Sequence, residues 1–303
     1  MVADVVLSDP HDFRNVAYQG FRRAVRDFGV KGRLVQEDPR RGLIPAVTSL
    51  ARQKYDLILA NPLGPAEVKA FVSVAARFPD SKFVMLEVFL DLRRGRFENV
   101  QGTIWRVEQP AYLAGYLAAL MEKRRPGKNV IGSVNGFSYS NQEFVAGYEA
   151  GARRADPGIR VLRSYSRNWV DAAKCRAVAL QQIGKGAGVV FNVAGTCGLG
   201  TLQRAKEKRV WGIGVDVDQS YLGPHILTSV LKRFDVEAYD TVEAFVRGRL
   251  KTGGNRVWSL RNGAVGLGKI NPKVPRPFVR QVERIRTQIV AGKITVPSTL
   301  TRR

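Results

Sequence analysis

Carboxylates, amides and aromatic rings stand directly after short β-branched runs in this chain, at Ser8-Asp9, Asn61, Glu87, Asn135-Gly136-Phe137, Asn168-Trp169, residues 195–200 and Asp216. In open parallel sheets, ligands bind beyond the carboxyl ends of strands, where backbone amides and loop side chains converge. Phe13 and Trp169 could each stack on a flat ring, worth roughly 1–3 kcal/mol per base; ordinary packing is the other reading. Asp9 and Asp216 could accept charge-assisted hydrogen bonds from vicinal hydroxyls, or serve as helix caps. The stretch Ala-Gly-Thr-Cys-Gly-Leu-Gly at 194–200 follows a strand and opens a helix, so its amides can meet a ligand oxygen. It lacks the Lys-Ser/Thr ending of a phosphate loop, and Gly-Lys-Gly-Ala-Gly at 184–188 precedes a strand and reads as a turn.

Covalent chemistry finds no support. The histidines are His11 and His225, there is no G-x-S-x-G elbow, and no carboxylate–histidine cluster has metal spacing. The expectation is no catalytic residue, no metal and no cofactor. His225, after Pro224, reads as a surface residue.

What must position the strand-end residues is an alternation of β-branched runs and amphipathic stretches, the rhythm of a parallel sheet. Strands are predicted at 2–8, 33–36, 57–60, 82–86 and 100–104, with helices at 15–28, 43–53 and 65–77 between them. The rhythm pauses near Trp105. A helix over 109–123 follows, in which Ala114, Gly115, Ala118 and Ala119 permit close packing. A second set has strands at 129–134, 160–165, 189–193 and 210–215, and helices at 141–155, 172–183 and 198–208. After a run at 227–231 come a helix at 236–250, a glycine-rich strand region at 253–268 and a helix at 278–291. The fold class is therefore α/β: residues 1–104 plus about 234–270 form one lobe, and 105–233 plus about 271–303 the other.

The 303 residues suffice for two such cores, and 45% hydrophobic with 25% charged residues are globular values. There is no apolar run of membrane-spanning length, and residues 1–9 show neither a signal core nor a cleavage site. Cys175 and Cys197 lack metal-ligand spacing and are expected to be plain buried thiols. Lys and Arg number 49 against 26 Asp and Glu, a net charge of +23 that attracts anionic surfaces. Basic pairs such as Arg22-Arg23, Arg93-Arg94 and Arg153-Arg154 are dispersed, as on solvated faces.

Several blocks together resemble the basic membrane protein family of bacterial substrate-binding lipoproteins. They are Tyr112-Leu113-Ala114-Gly115, F-V-A-G-Y-E-A-G at 144–151, Trp169-Val170-Asp171, 194–200, Ile-Gly-Val-Asp-Val-Asp-Gln-Ser-Tyr at 213–221, Ser-Val-Leu-Lys at 229–232 and Gly-Lys-Ile-Thr-Val-Pro at 292–297. The resemblance covers nearly the whole chain. It implies a type I periplasmic-binding-protein fold, with two doubly wound parallel-sheet lobes joined by a multi-crossing hinge, and a purine nucleoside held between them for an ABC transporter permease. By the same resemblance Phe13 matches a stacking phenylalanine and Trp169 the second aromatic. Asp9, Asp216 and Lys232 match sugar positions, and Gly195 to Gly198 a backbone contact. The family reads Ser-Phe-Asn where this chain has Asp12-Phe13-Arg14, so a guanidinium replaces an amide. Arg14 has donors only and suits a guanine-type edge or an anion, Asn15 is a substitute amide, and Glu108 is a candidate for a base nitrogen.

The expected partners are a nucleoside, a transporter permease and, through the charge, an anionic membrane surface; nucleic acid is not expected. The location is the cell surface or periplasm if a leader was removed, and otherwise the cytoplasm. A cytoplasmic ligand-sensing regulator of the same fold, binding nucleic acid through its basic surface, is the alternative, although no helix-turn-helix precedes the first strand. A nucleoside-processing enzyme lacks a base, nucleophile or metal set.

Overall fold

The computed structural model describes residues 1–3, 9, 11–38, 40–62, 64–95 and 97–300; the expectations resting on Ser8 and on the rest of the first strand run lie outside these. The chain forms two compact units, Met1–Trp105 with Arg233–Trp258, and Arg106–Lys232 with Ser259–Arg303. It passes between them three times.

Along the chain the first unit holds β1 (Val2–Ala3), α1 (Phe13–Phe28), β2 (Val35–Gln36), α2 (Ile44–Arg52), β3 (Leu57–Ala60), α3 (Gly64–Ala76), β4 (Lys82–Met85) and β5 (Val100–Trp105). The second holds α4 (Glu108–Glu122), β6 (Val130–Asn135), α5 (Gln142–Ala155), β7 (Arg160–Tyr165), α6 (Ala172–Gly184), β8 (Val189–Val193), α7 (Gly198–Glu207), β9 (Trp211–Asp216) and β10 (Ile226–Lys232). The chain then returns to the first unit as α8 (Phe234–Val246) and β11 (Gly254–Trp258), and ends in the second as β12 (Val265–Leu267) and α9 (Arg276–Val290).

The first sheet has the order β11-β5-β4-β3-β1-β2 and pairs in parallel throughout the described residues; the second runs β12-β10-β9-β8-β6-β7, with only β12 antiparallel. Helices cover both faces, which is why strands such as Leu-Ile-Leu-Ala in β3 and Val-Val-Phe-Asn-Val in β8 are apolar almost without alternation. The close helix packing read from Gly115 is real. A Cβ there would sit 1.9 Å from the Tyr148 carbonyl oxygen, and one at Gly151 would sit 1.9 Å from that of Tyr112. The glycines of the two family blocks thus let α4 and α5 touch backbone to backbone.

Three expectations need correction. Cys175 and Cys197 form a disulfide, with Cα atoms 5.6 Å apart, because α6 packs on the turn after β8. Residues 259–270 belong to the second unit, since β12 pairs with β10 through Val230–Leu267, Leu231–Gly266 and Lys232–Val265. His225 is half-buried at the start of β10; burial, and next the Lys206 charge, hold its imidazole below the ordinary histidine range.

Candidate functional site

In the second unit the carboxyl edge brings together most of the candidate residues. Read along the sheet from β10 to β7, this edge presents Lys232, Asp216, the turn at 195–197, Gly136 with Phe137, and the loop carrying Trp169. Neighbouring strands lie about 4.8 Å apart, so β8 to β7 spans roughly 10 Å, and Trp169 reaches back over that distance. A Cβ on Gly136 would come within 2.4 Å of its ring, and one on Gly195 within 3.7 Å. The indole therefore lies over two glycines; at Gly136 only hydrogen leaves room for it, whereas at Gly195 the tight approach is to the Trp169 carbonyl oxygen, 3.0 Å from a Cβ. Its other neighbour is Phe137, at 5.6 Å between centroids and 51° between planes.

The loop beneath the indole is held at both ends. Asn168 Oδ1 accepts from the Val170 and Asp171 amides at 2.8 and 2.7 Å, and Asp171 caps α6 by accepting from the Ala173 amide at 3.0 Å. The Trp169 carbonyl accepts from the Cys197 amide at 2.9 Å and from Thr196 Oγ1 at 3.1 Å. Cys197, in turn, is tied to α6 by its disulfide. Gly195 takes φ +56°, which lets the turn fold under the indole. Gly198 starts α7 so close to Asn192 that a Cβ would lie 1.5 Å from its Oδ1. Gly198 is therefore needed for packing.

Asp216 ends β9 in the left-handed region, φ 65°, an uncommon backbone for a residue with a side chain. Its carboxylate stands 3.9 Å from Lys232 Nζ, and Nζ lies 5.7 Å from the Phe144 ring centroid. An acid and a base side by side on a half-exposed edge can accept from, and donate to, the same pair of vicinal hydroxyls. Glu87 and Arg167, also beyond strand ends, share the left-handed backbone, at φ 63° and 54°.

Glu108, at the start of α4, is 3% exposed. Burial pushes its carboxyl above the ordinary range, against the pull of Arg106, whose Nη1 is 3.9 Å away. A carboxyl so placed can hydrogen-bond to a ring nitrogen of a base.

In the first unit the candidates surround the start of α1. Asp12 caps the helix, accepting from the Arg14 amide at 2.8 Å, and the same carboxylate accepts from Arg14 Nε at 2.9 Å and Nη2 at 2.7 Å. Burial would raise the Asp12 carboxyl, but the Arg14 hydrogen bonds and charge outweigh it and hold it below the usual carboxylate range. The guanidinium is thus already matched by an acid, so an anionic ligand gains less from Arg14 than its charge suggests. Asn15 is 3% exposed; it donates to the Asp9 carbonyl at 2.9 Å and accepts from Gln19 at 3.0 Å. Its amide fastens the loop that carries Asp9, which leaves it poorly suited as a substitute base reader. Asp9 Oδ1 accepts from the His11 amide at 2.8 Å on an exposed loop.

Phe13 is half-buried against Phe234 at 5.2 Å, and the chain of rings continues to Trp105 at 5.5 Å and Trp258 at 5.9 Å. The Arg14 guanidinium lies 5.7 Å from the Phe13 ring centroid. Sequence reasoning missed Phe137 and Gly136 as the surroundings of Trp169, although both stand at a strand end that the hydrophobic pattern marks. It also missed Phe144, which has the helical spacing of a core residue.

Among the described residues no cluster of three or more His, Cys, Asp or Glu is arranged to hold a metal, and no helix is long and apolar enough to cross a membrane.

The family model described as "ABC transporter substrate-binding protein PnrA-like" matches residues 1–299. Basic membrane protein B of Borrelia garinii subsp. bavariensis is 31% identical over 98% of this chain and 86% of its own length. The ABC transporter nucleoside-binding protein BmpA of Lactococcus lactis subsp. cremoris is 31% identical over 82% of this chain and 73% of its own. Among solved structures, an ABC transporter solute-binding protein from Aeropyrum pernix K1 superposes with a TM-score of 0.80 at 23% identity, covering 99% of this chain and 93% of that one. A transcriptional activator of the comK gene from Bacillus halodurans does so with 0.82 at 22%, covering 98% of each chain. The two parallel-dominated sheets, the glycine-mediated α4–α5 contact and a match over nearly every residue agree, and the chain belongs to the Bmp family of ABC transporter substrate-binding proteins, with the periplasmic-binding-protein fold.

Proposed function

We propose that this receptor binds a nucleoside, with a purine as the first candidate, and performs no covalent chemistry on it. The base lies on the Trp169 indole, and the sugar hydroxyls meet Asp216 and Lys232. Glu108 reads a base nitrogen. The supporting observation is the carboxyl edge of the second sheet, where a ring seated on two glycines and a carboxylate–ammonium pair at 3.9 Å share one row. The nucleoside-binding name of the Lactococcus relative supports the same ligand class. Its partner would be a transporter permease that recognises the liganded receptor.

The buried Cys175–Cys197 disulfide favours an oxidising compartment outside the cytoplasm over the cytoplasmic regulator that shares this fold. Calorimetry with guanosine, inosine, adenosine, cytidine and free ribose tests the assignment. At least one nucleoside is expected to bind and to quench tryptophan emission, and Trp169→Ala should lose about 1–3 kcal/mol of that affinity. Binding of ribose but no nucleoside, or release of free base on incubation, would overturn it.

A further inference from the structure

The opposite, amino edge of the second sheet carries a different chemistry. Four parallel strands, β7, β6, β8 and β9, lie side by side, and each is preceded by a helix, α5, α4, α6 and α7. All four helix-to-strand connections therefore emerge on this one edge. Lys123, Arg124 and Lys128 are exposed before β6, and Arg154 and Arg160 at the two ends of the connection into β7. Lys185 is exposed before β8, and Lys206, Lys208 and Arg209 before β9. The acids are mostly spent or buried: Glu122 is fully buried against Arg125, Asp156 is 9% exposed, and Glu207 pairs with both Arg176 and Arg204.

Basic residues are common where helices end, because the helix dipole places about half a negative charge there. Four helix ends would then offset roughly two positive charges, far fewer than this edge carries. Strand spacing of about 4.8 Å sets neighbouring connections within one Debye length, about 8 Å at physiological salt, so the fields of adjacent connections add. The carboxyl edge of the same unit, by contrast, mixes Asp171, Asp216 and Asp218 with Arg167 and Lys232. The two edges of this sheet thus differ in charge.

We infer that the amino edge of the second unit is a docking surface for an anionic lipid bilayer, separate from the nucleoside site. A row of cations on one sheet edge fits a plane of headgroups, and the transporter that this family serves lies in a membrane. Duplex nucleic acid is the competing polyanion, and the disulfide argues against the compartment that holds it.

The test is flotation of the full chain with vesicles of phosphatidylcholine alone or mixed with phosphatidylglycerol, across a salt series. One variant carries Lys128→Glu, Arg160→Glu, Lys185→Glu and Lys208→Glu. A control carries the same charge change on and just after α9, at Arg276, Arg280, Arg284 and Lys293, each to Glu. Glutamine versions of both provide milder forms should the reversals disturb folding. The wild type should bind only the anionic vesicles and release with salt. The edge variant should lose at least about tenfold in partitioning, the control far less, and both should keep nucleoside affinity. Equal loss in edge and control variants, equal binding to both vesicle types, or DNA retained at salt that frees the vesicles would overturn the inference. Loss of nucleoside binding in the wild type would instead strike only the proposed function.

Discussion

The position of the Trp169 ring depends on an atom that is absent, the Cβ of Gly136. Gly136→Ala places a methyl within 2.4 Å of the indole and must displace it, so it should reduce nucleoside affinity about as far as Trp169→Ala, by roughly 1–3 kcal/mol, while the fold persists. Calorimetry on both variants checks this; unchanged affinity in Gly136→Ala would show that the ring's position is immaterial. Glu108 makes a separate case. Its folded pKa is raised by burial above the ordinary 4.5. The stability it contributes is therefore present at acid pH and lost as pH rises through the folded value. Glu108→Gln should melt higher than wild type at neutral pH, and the gap should close below about pH 4.5; thermal melts from acid to neutral pH measure it, and a gap that widens in acid would contradict it. At this scale the sequence marks strand ends well, because apolar runs stop abruptly there. It does not show what each side chain is already bonded to. Asp12 takes Arg14, and Asn15 holds the Asp9 loop, pairings set by the conformation of a helix start.

The disulfide joins α6 to the turn that supports the Trp169 carbonyl. Cross-linking residues 22 apart removes unfolded-state entropy worth about 3 kcal/mol. The Cys175→Ala, Cys197→Ala double variant should therefore melt several degrees lower. It should also bind nucleoside more weakly, since the Cys197 amide and Thr196 hydroxyl would hold Trp169 less firmly; a lower melt with unchanged affinity would make the bridge purely a stabiliser. Cysteine spacing could not reveal this bridge, because it depends on how a helix lies against the end of a neighbouring strand. The glycine-rich region at 253–268 misled for a similar reason. It supplies β11 to one sheet and β12 to the other, and local composition cannot say which sheet a strand joins. The parallel alternation and the α4–α5 glycines were legible because each has a local signature, continuous apolar runs in one case and small residues at helical spacing in the other.

On the scale of the molecule, each unit has its own apolar core. One cluster in the first surrounds Phe71, Phe83 and Met85, and one in the second surrounds Val134, Cys175, Ala194 and Cys197. Trp258 is fully buried on the last residue of β11, in register with Trp105. Trp258→Ala should cost about 3–5 kcal/mol and lower the unfolding of the first unit, whereas loss of the disulfide should lower that of the second. Scanning calorimetry of the two variants would separate the transitions, and identical shifts of a single transition would show that the units melt as one.

β5 waits for its partner β11, which follows about 150 residues later, and β10 has no outer neighbour until β12 arrives. A ribosome reading from the amino end thus completes neither sheet before residue 258. For most of synthesis both sheets keep an open border, and the nascent chain stays unlocked.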